Sequence, residues 1–142
     1  MSKLTINESV RGFTDIIVLD YLDLIAIGNG LQRVIAQIPV GGAVTLAGVH
    51  KVTAAAGSTS VVFDIGTTLA DPDEFINGLD ADAMTDPVFN TGDAFTTGYM
   101  QAVKPLTTAT DIVIEVNDAA VASLTAGKWV IGLNIVNLGQ FA

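Results

Sequence analysis

The sequence predicts an all-β protein, a single-domain β-sandwich with little helix. Turn-forming residues recur along the whole chain, and the segments between them are short and rich in Val, Ile, Thr and Phe. Short strands separated by turns are typical of sandwiches and barrels. The turn signals lie at 28–30, 39–42, 56–58, 66–68, 77–78, 90–92, 117–118 and 126–127.

Apolar and polar residues alternate within several of these segments, as they do in strands that bury one face. The alternation is clearest at 110–117, where Ile112, Ile114 and Val116 share one face. We predict strands at 15–27, 31–38, 43–53, 59–65, 94–103, 110–117 and 127–138, and a weaker strand at 3–8.

The last predicted strand is apolar on both faces. One face carries Trp129, Ile131, Leu133 and Ile135, and the other carries Val130 and Val136. We therefore expect this strand to be covered on both sides, by a second sheet and by a loop or a neighbouring subunit.

Helix is a minor part of the prediction. Residues 71–74 have the sequence Asp-Pro-Asp-Glu, which combines an N-cap acid, a proline at the first helical position and a glutamate at N3. A helix of about two turns would end at Gly78, inside a long excursion from about 66 to 93. The segment 118–126 is either one helical turn or a plain loop.

Length, charge and the lack of cysteine exclude several classes of protein. The chain has 142 residues and a mass of 14.7 kDa, the size of one domain. It has no cysteine, which excludes a disulfide scaffold, a thiol nucleophile and a cysteine-ligated zinc site. Because its net charge is −9, we expect it to bind neither nucleic acid nor an anionic membrane.

The composition also indicates contact with other subunits. Charged residues make up 15% of the chain, where a soluble domain has about 25%. Hydrophobic residues make up 50%, and the mean hydropathy is +0.55. Because obligate interfaces are more apolar than free surfaces, we expect a homo-oligomer.

The segment from Asp64 to Thr68 has the sequence Asp-Ile-Gly-Thr-Thr, which resembles the phosphate-binding hairpin of actin-like sugar kinases and ATPases. Those folds need a second phosphate loop, an adenosine-binding segment and a far longer chain. We therefore predict that this segment is a strand that runs into a Gly-Thr turn.

A cluster of acidic residues follows, and carboxylates are ligands that Ca²⁺ prefers. Its members are Asp71, Asp73, Glu74, Asp80, Asp82 and Asp86. Their spacing does not match the EF-hand loop, so we predict capping and solvated acids and no metal site.

The remaining candidates are His50, the sole histidine, and the aromatic residues Trp129, Tyr21 and Tyr99. A lone histidine within a strand fixes no geometry to a hydroxyl or an acid, so we expect His50 to be packed or solvated. The aromatic residues are expected in the core rather than on a sugar-binding platform. The sequence therefore predicts no catalytic, cofactor-binding or metal-binding residue and no enzymatic activity.

The order of several signals resembles that of the small structural proteins of tailed-bacteriophage virions, including head decoration (cement) proteins. A strand ending in Asp-Ile-Gly precedes an Asp-Pro-Asp-x-Phe loop and a Gly-x-Asp step, and the chain closes on a Thr-Ala-Gly-Lys-Trp strand. The segments that carry the likeness lie at 63–66, 71–75, 78–80, 20–27, 38–39, 104–107 and 125–129. The resemblance implies a jelly-roll-like sandwich present in many copies on a particle, and it assigns no functional residue.

These observations lead to one expectation for function and two alternatives. We expect a virion structural protein, made in the host cytoplasm, that decorates and stabilises the capsid exterior. Its expected partners are its own copies, with a trimer favoured, and the major capsid protein. We expect residues 1–14 to form an N-terminal arm or edge strand and residues 15–142 to form the sandwich. The alternatives are a carbohydrate-binding or host-adsorption module and a tail, neck or fibre component.

Overall fold

Two antiparallel sheets pack face to face. The computed structural model describes residues 2–4, 13–67, 72–96 and 107–137. The strands are β1 Ser2–Leu4, β2 Asp15–Asp20, β3 Leu31–Ile38, β4 Gly42–Ala56, β5 Val62–Gly66, β6 Ile76–Asp80, β7 Val88–Phe89, β8 Thr110–Asn117 and β9 Ala126–Asn137. The helices are α1 Tyr21–Ile27 and α2 Asp93–Thr96, and Val121–Ser123 form a 3₁₀ turn.

The strand order is that of a jelly roll. One sheet has the order β1-β2-β9-β4-β7 and the other has the order β3-β8-β5-β6. Strands β2 to β9 thus form two four-stranded layers with jelly-roll connectivity, and β1 extends one layer at its edge. The predicted all-β, jelly-roll-like sandwich is confirmed.

The core lies between the sheets and follows the alternation in the sequence. Ile112, Ile114 and Val116 of β8 are fully buried, as the period of two predicts. From the facing sheet, the Trp129 ring meets the Phe63 ring edge to face, with centroids 5.3 Å apart and planes at 77°. Burying a large apolar side chain stabilises a fold by about 1.5–3 kcal/mol, so these residues hold the two layers together.

The strand predicted at 15–27 is wrong beyond Asp20, where α1 begins. The Asp20 side chain accepts a hydrogen bond from the Asp23 amide at 3.0 Å, and the Asp23 side chain accepts one from the Asp20 amide at 3.0 Å. This reciprocal pair is a capping box. The helix ends at Gly28, whose φ of 90° favours glycine.

The helix predicted at 71–78 is also wrong, because residues from Ile76 onward form β6. Phe75 and Ile76 are buried, and the Phe75 amide donates to the Ile65 carbonyl at 2.8 Å. The Glu74 carboxylate accepts a hydrogen bond from the Thr67 hydroxyl at 2.8 Å, and the predicted N-cap, Asp71, lies outside the described residues. Pairing with β5 thus overrides the local helix signal.

The excursion predicted from 66 to 93 is not a single loop. Within it, β6 joins the four-stranded sheet beside β5, and β7 joins the five-stranded sheet beside β4. Between these strands, Ala81 and Met84 are buried in the core. The excursion therefore belongs to both layers of the sandwich.

The remaining predictions fall partly outside the described residues. The strand predicted at 94–103 begins instead within α2, and residues 97–106 are not described. Of the strand predicted at 3–8, the structure describes Ser2–Leu4, which pair antiparallel with β2. The segment 118–126 contains a single 3₁₀ turn.

Candidate functional site

The outer face of the five-stranded sheet has an apolar centre, which we call the apolar face, and the charged cross-strand partners Asp20 and Lys128 lie in the next row. Two rows of cross-strand partners cross it, Val18–Val130–His50 and Ile16–Gly132–Gly48–Phe89. The ring of Phe13 lies over the second row. Among the described side chains of these rows, His50 is the one ionisable group, so contact with this face removes little hydration from charges.

The centre of the apolar face is a pair of glycines covered by aromatic rings. A Cβ atom at Gly48 would lie 2.6 Å from the Phe89 ring, and one at Gly132 would lie 2.6 Å from the Phe13 ring. The two rings stack, with centroids 6.5 Å apart and planes at 13°. The glycines let the rings lie flat against the sheet.

A groove of about 220 Å³ runs beside these rings. Ile16, His50, Pro87 and Val130 contribute to its walls together with the two phenylalanines. Phe89 remains 49% exposed, so a large aromatic surface is open to solvent. Exposed contiguous apolar surface marks interaction sites.

The outer face of the four-stranded sheet carries acidic side chains beside an apolar row, Val34–Val113, and we call it the acidic face. Glu115 of β8 lies between Gln32 of β3 and Asp64 of β5 as their cross-strand partner. The side-chain amide of Gln32 donates to the Glu115 carboxylate at 2.8 Å, and the side-chain amide of Gln37 donates to the Asp111 carboxylate at 3.2 Å. The two outer faces of the sandwich therefore differ in charge, because carboxylates lie along β5 and β8 and stacked aromatic rings lie at the centre of the apolar face.

On the acidic face, the pKa of the Asp64 carboxyl is raised above its usual value. Partial burial raises the pKa of its carboxyl, and the negative charges of Glu115 and Asp73 raise it further. Hydrogen bonds from the Gly78 amide and the Asn117 side chain act in the opposite direction. These contacts tie Asp64 to β6 and β8.

The sequence motif at 64–68 does not form an exposed phosphate-binding hairpin in the part that is described. Both Asp64 oxygens accept hydrogen bonds from the fold, and the Thr67 hydroxyl donates to Glu74. Thr68 lies outside the described residues. The strand part of the prediction is confirmed up to Gly66, where β5 ends, and most of the predicted turn lies outside the described residues.

The acidic cluster at 71–86 does not converge. Asp80 accepts hydrogen bonds from the amides of Asp82 and Ala83, which makes it a turn-forming residue. The Lys51 ammonium donates to the backbone carbonyl of Asp82. Asp71 lies outside the described residues. Within the described ranges, no group of three acidic or histidine residues is placed to hold a metal.

The aromatic residues follow the core prediction where they are described. Trp129 is fully buried, and its indole N–H donates to the Ala81 carbonyl at 2.9 Å. Tyr21 packs partly buried against the core, and Tyr99 lies outside the described residues. His50 is exposed, so it is solvated rather than packed.

Sequence reasoning did not find the paired glycines or the rings that cover them. Gly48 and Gly132 lie far apart in the chain, and nothing local relates either glycine to its phenylalanine. The available signal was a glycine inside each apolar strand, which indicates close approach by another group.

Comparison of the chain with protein-family models, with curated proteins and with solved structures finds no match in any of the three. In the described part of the chain, no helix is both long enough and apolar enough to cross a membrane. The function is therefore argued from the two faces of the sandwich.

Proposed function

We propose that this protein is a non-enzymatic structural component of a tailed-bacteriophage particle, which decorates and stabilises the exterior of the capsid. The observation that carries the proposal is the difference between the apolar face and the acidic face. A sandwich with one adhesive side and one hydrated side suits a protein that lies flat on a larger surface. Jelly rolls occur in viral capsid proteins, but a fold does not determine a function.

In this proposal, the apolar face contacts the major capsid protein. Phe13 and Phe89 supply large, rigid contact surfaces, and such residues dominate the energetics of interfaces. The row Val18–Val130–His50 extends the contact surface along the sheet. Contact here buries apolar area, which stabilises association by about 25 cal/mol per Å² before the costs of binding.

The charge distribution favours the exterior of the particle. The acidic face carries Asp64, Asp111 and Glu115 on one sheet, and the whole chain has a net charge of −9. A packaged genome is a dense polyanion, and like charges oppose close approach. An outward-facing acidic side avoids this repulsion and keeps particles apart in solution.

The chain's other proposed partner is its own copies, with a trimer favoured because the resemblance suggests threefold sites on the capsid. Strand β1, Ser2–Leu4, extends the five-stranded sheet at its edge, where a neighbouring subunit can contact it. The charge argues against nucleic acid and anionic membranes as partners.

The experiment is the copy number and accessibility of this chain in purified, DNA-filled particles of the phage that encodes it. Mass spectrometry should find it in a fixed, high ratio to the major capsid protein, and protease should reach it in intact particles. A few copies per particle would indicate a tail, neck or fibre component. Digestion only after the particles are opened would contradict the exterior position.

A further inference from the structure

A cleft of about 590 Å³ opens at one end of the sandwich, beside the end of β8. It lies between the loop after β4 and the loop after β8, and Asn29, Ser58, Ser60, Asn117 and Asp118 contribute to its walls. Hydroxyl, amide and carboxylate groups thus line it. We therefore first consider ligands that bind to oxygen atoms.

Asp118 is the unusual residue of this cleft. Its side chain is 4% exposed. One carboxylate oxygen, Oδ1, accepts hydrogen bonds from the Ser58 hydroxyl at 2.8 Å and from the Ala120 amide at 2.9 Å. The other oxygen, Oδ2, is buried and has no hydrogen-bond partner among the described residues. A buried carboxylate oxygen without a donor or a cation is costly.

The fold holds Asp118 firmly in this position. Its backbone amide donates to the Asn29 side chain at 2.9 Å, and its carbonyl accepts from the Val121 amide at 3.1 Å. Gly57 packs so closely that a Cβ atom there would lie 2.0 Å from the Ser123 carbonyl oxygen. The two loops are therefore fixed against each other, and the Asp118 carboxylate is oriented in advance of any ligand.

The surrounding field is negative. Asn117 donates from its side chain to Asp64 at 2.9 Å and to Glu115 at 3.1 Å, so two further carboxylates lie just behind the cleft. The negative charges of these two carboxylates favour a cation in the cleft even without direct contact.

We propose that the cleft binds a single calcium ion, with Asp118 Oδ2 as its charged ligand and neutral oxygens of the two loops and water as the others. Ca²⁺ accepts six to eight oxygen ligands in irregular geometry, whereas Mg²⁺ demands a small octahedral cage. With one carboxylate among neutral oxygens, the affinity is low, with a dissociation constant on the order of 10⁻⁴–10⁻³ M. Such a site stabilises the loops rather than supplying chemistry.

The test is thermal unfolding of the full chain with increasing calcium, with magnesium as a control for ionic screening. The wild type should show a saturable rise in Tm of roughly 3 °C or more at ~10 mM calcium. Asp118→Asn should abolish this rise. Asp111→Asn removes an exposed acid from the acidic face and should retain it. Equal responses of the two variants, or of the two metals, would show general screening and overturn the proposal.

A second measurement keeps the proposal testable if Asp118→Asn does not fold. Amide chemical shifts of the wild type should change on calcium addition at 57–60 and 117–120, with one saturating curve. Changes spread over the acidic face without saturation would contradict the site. Unchanged shifts would indicate that an ordered water satisfies Oδ2, which would also overturn the proposal.

Discussion

Gly48 and Gly132 are cross-strand partners at the centre of the five-stranded sheet, and each lies beneath the ring of a phenylalanine. The rings of Phe89 and Phe13 stack on each other above them. Strands from the two ends of the chain and from its middle thus meet in one aromatic cluster. This cluster gives the apolar face its shape.

A methyl group at Gly48 should disturb the cluster. Because its Cβ would lie 2.6 Å from the Phe89 ring, Gly48→Ala should destabilise the protein by about 1–3 kcal/mol. In a Phe89→Ala background the same change should cost much less, since the clashing ring is gone. Chemical denaturation of the wild type, the two single variants and the double variant measures the coupling between Gly48 and Phe89. An equal cost in both backgrounds would contradict the contact.

Trp129→Phe tests the link between the excursion and the core. The change removes the indole N–H that donates to the Ala81 carbonyl and leaves that acceptor buried. We expect a loss of at least about 2 kcal/mol from the unmade hydrogen bond and the smaller ring. Unfolding should be followed by circular dichroism, because Trp129 is the sole tryptophan. A change within about 0.5 kcal/mol, typical of surface substitutions, would contradict this role.

The sandwich was predictable because its strands bury one face and therefore alternate. Ile112, Ile114 and Val116 reach the core in the order that the period of two requires. Where an apolar run is continuous, the period is lost, and the helix after Asp20 was predicted as strand. Its capping box of Asp20 and Asp23 was a visible local signal.

Other features depend on distant pairing and were not predictable. Residues 71–74 carry strong helix signals, yet Phe75 and Ile76 are drawn into the core beside Ile65. The Asp118 cleft likewise combines two loops that only the jelly-roll connectivity brings together. Local chemistry predicts local structure, and sites assembled from several loops need the fold.

The pKa of Asp64 should respond to its neighbour on β8. Glu115→Gln removes one of the charges that raise this pKa, so a carbon-detected NMR titration should show a lower value in the variant. Asp111→Asn, on the same face, should leave it nearly unchanged. An unaltered Asp64 pKa in Glu115→Gln would contradict the assigned cause.

The same shift has a consequence for stability. Because the pKa of Asp64 is raised in the folded state, the folded protein binds this proton more tightly than the unfolded chain does. The contribution of Asp64 to stability is therefore present below the unfolded pKa and lost as pH rises through the folded pKa. In Glu115→Gln, the free energy of unfolding should change less with pH across this interval. Unfolding measured at several pH values tests this.

Removing residues 2–10 should weaken self-association more than folding. Strand β1 contributes three residues at the edge of the sheet, and each hydrogen bond adds only about 0.5–1.5 kcal/mol to stability. Sedimentation velocity and thermal unfolding of the truncated chain measure the two effects. Unchanged assembly would contradict a role of the arm between subunits.

Two matched variants test whether the apolar face attaches this protein to a capsid, as proposed. Val130→Lys places a charge on the apolar face, whereas Val34→Lys places the same charge on the outer side of β3, where Val34 is 48% exposed. Purified wild type and both variants, each checked for folding, would be sedimented with particles produced without this protein.

We predict that the wild type and Val34→Lys bind the particles with similar affinity and that Val130→Lys binds at least about tenfold more weakly, as expected for loss of roughly 1.4 kcal/mol at an interface. Equal binding of the two lysine variants would contradict attachment through the apolar face.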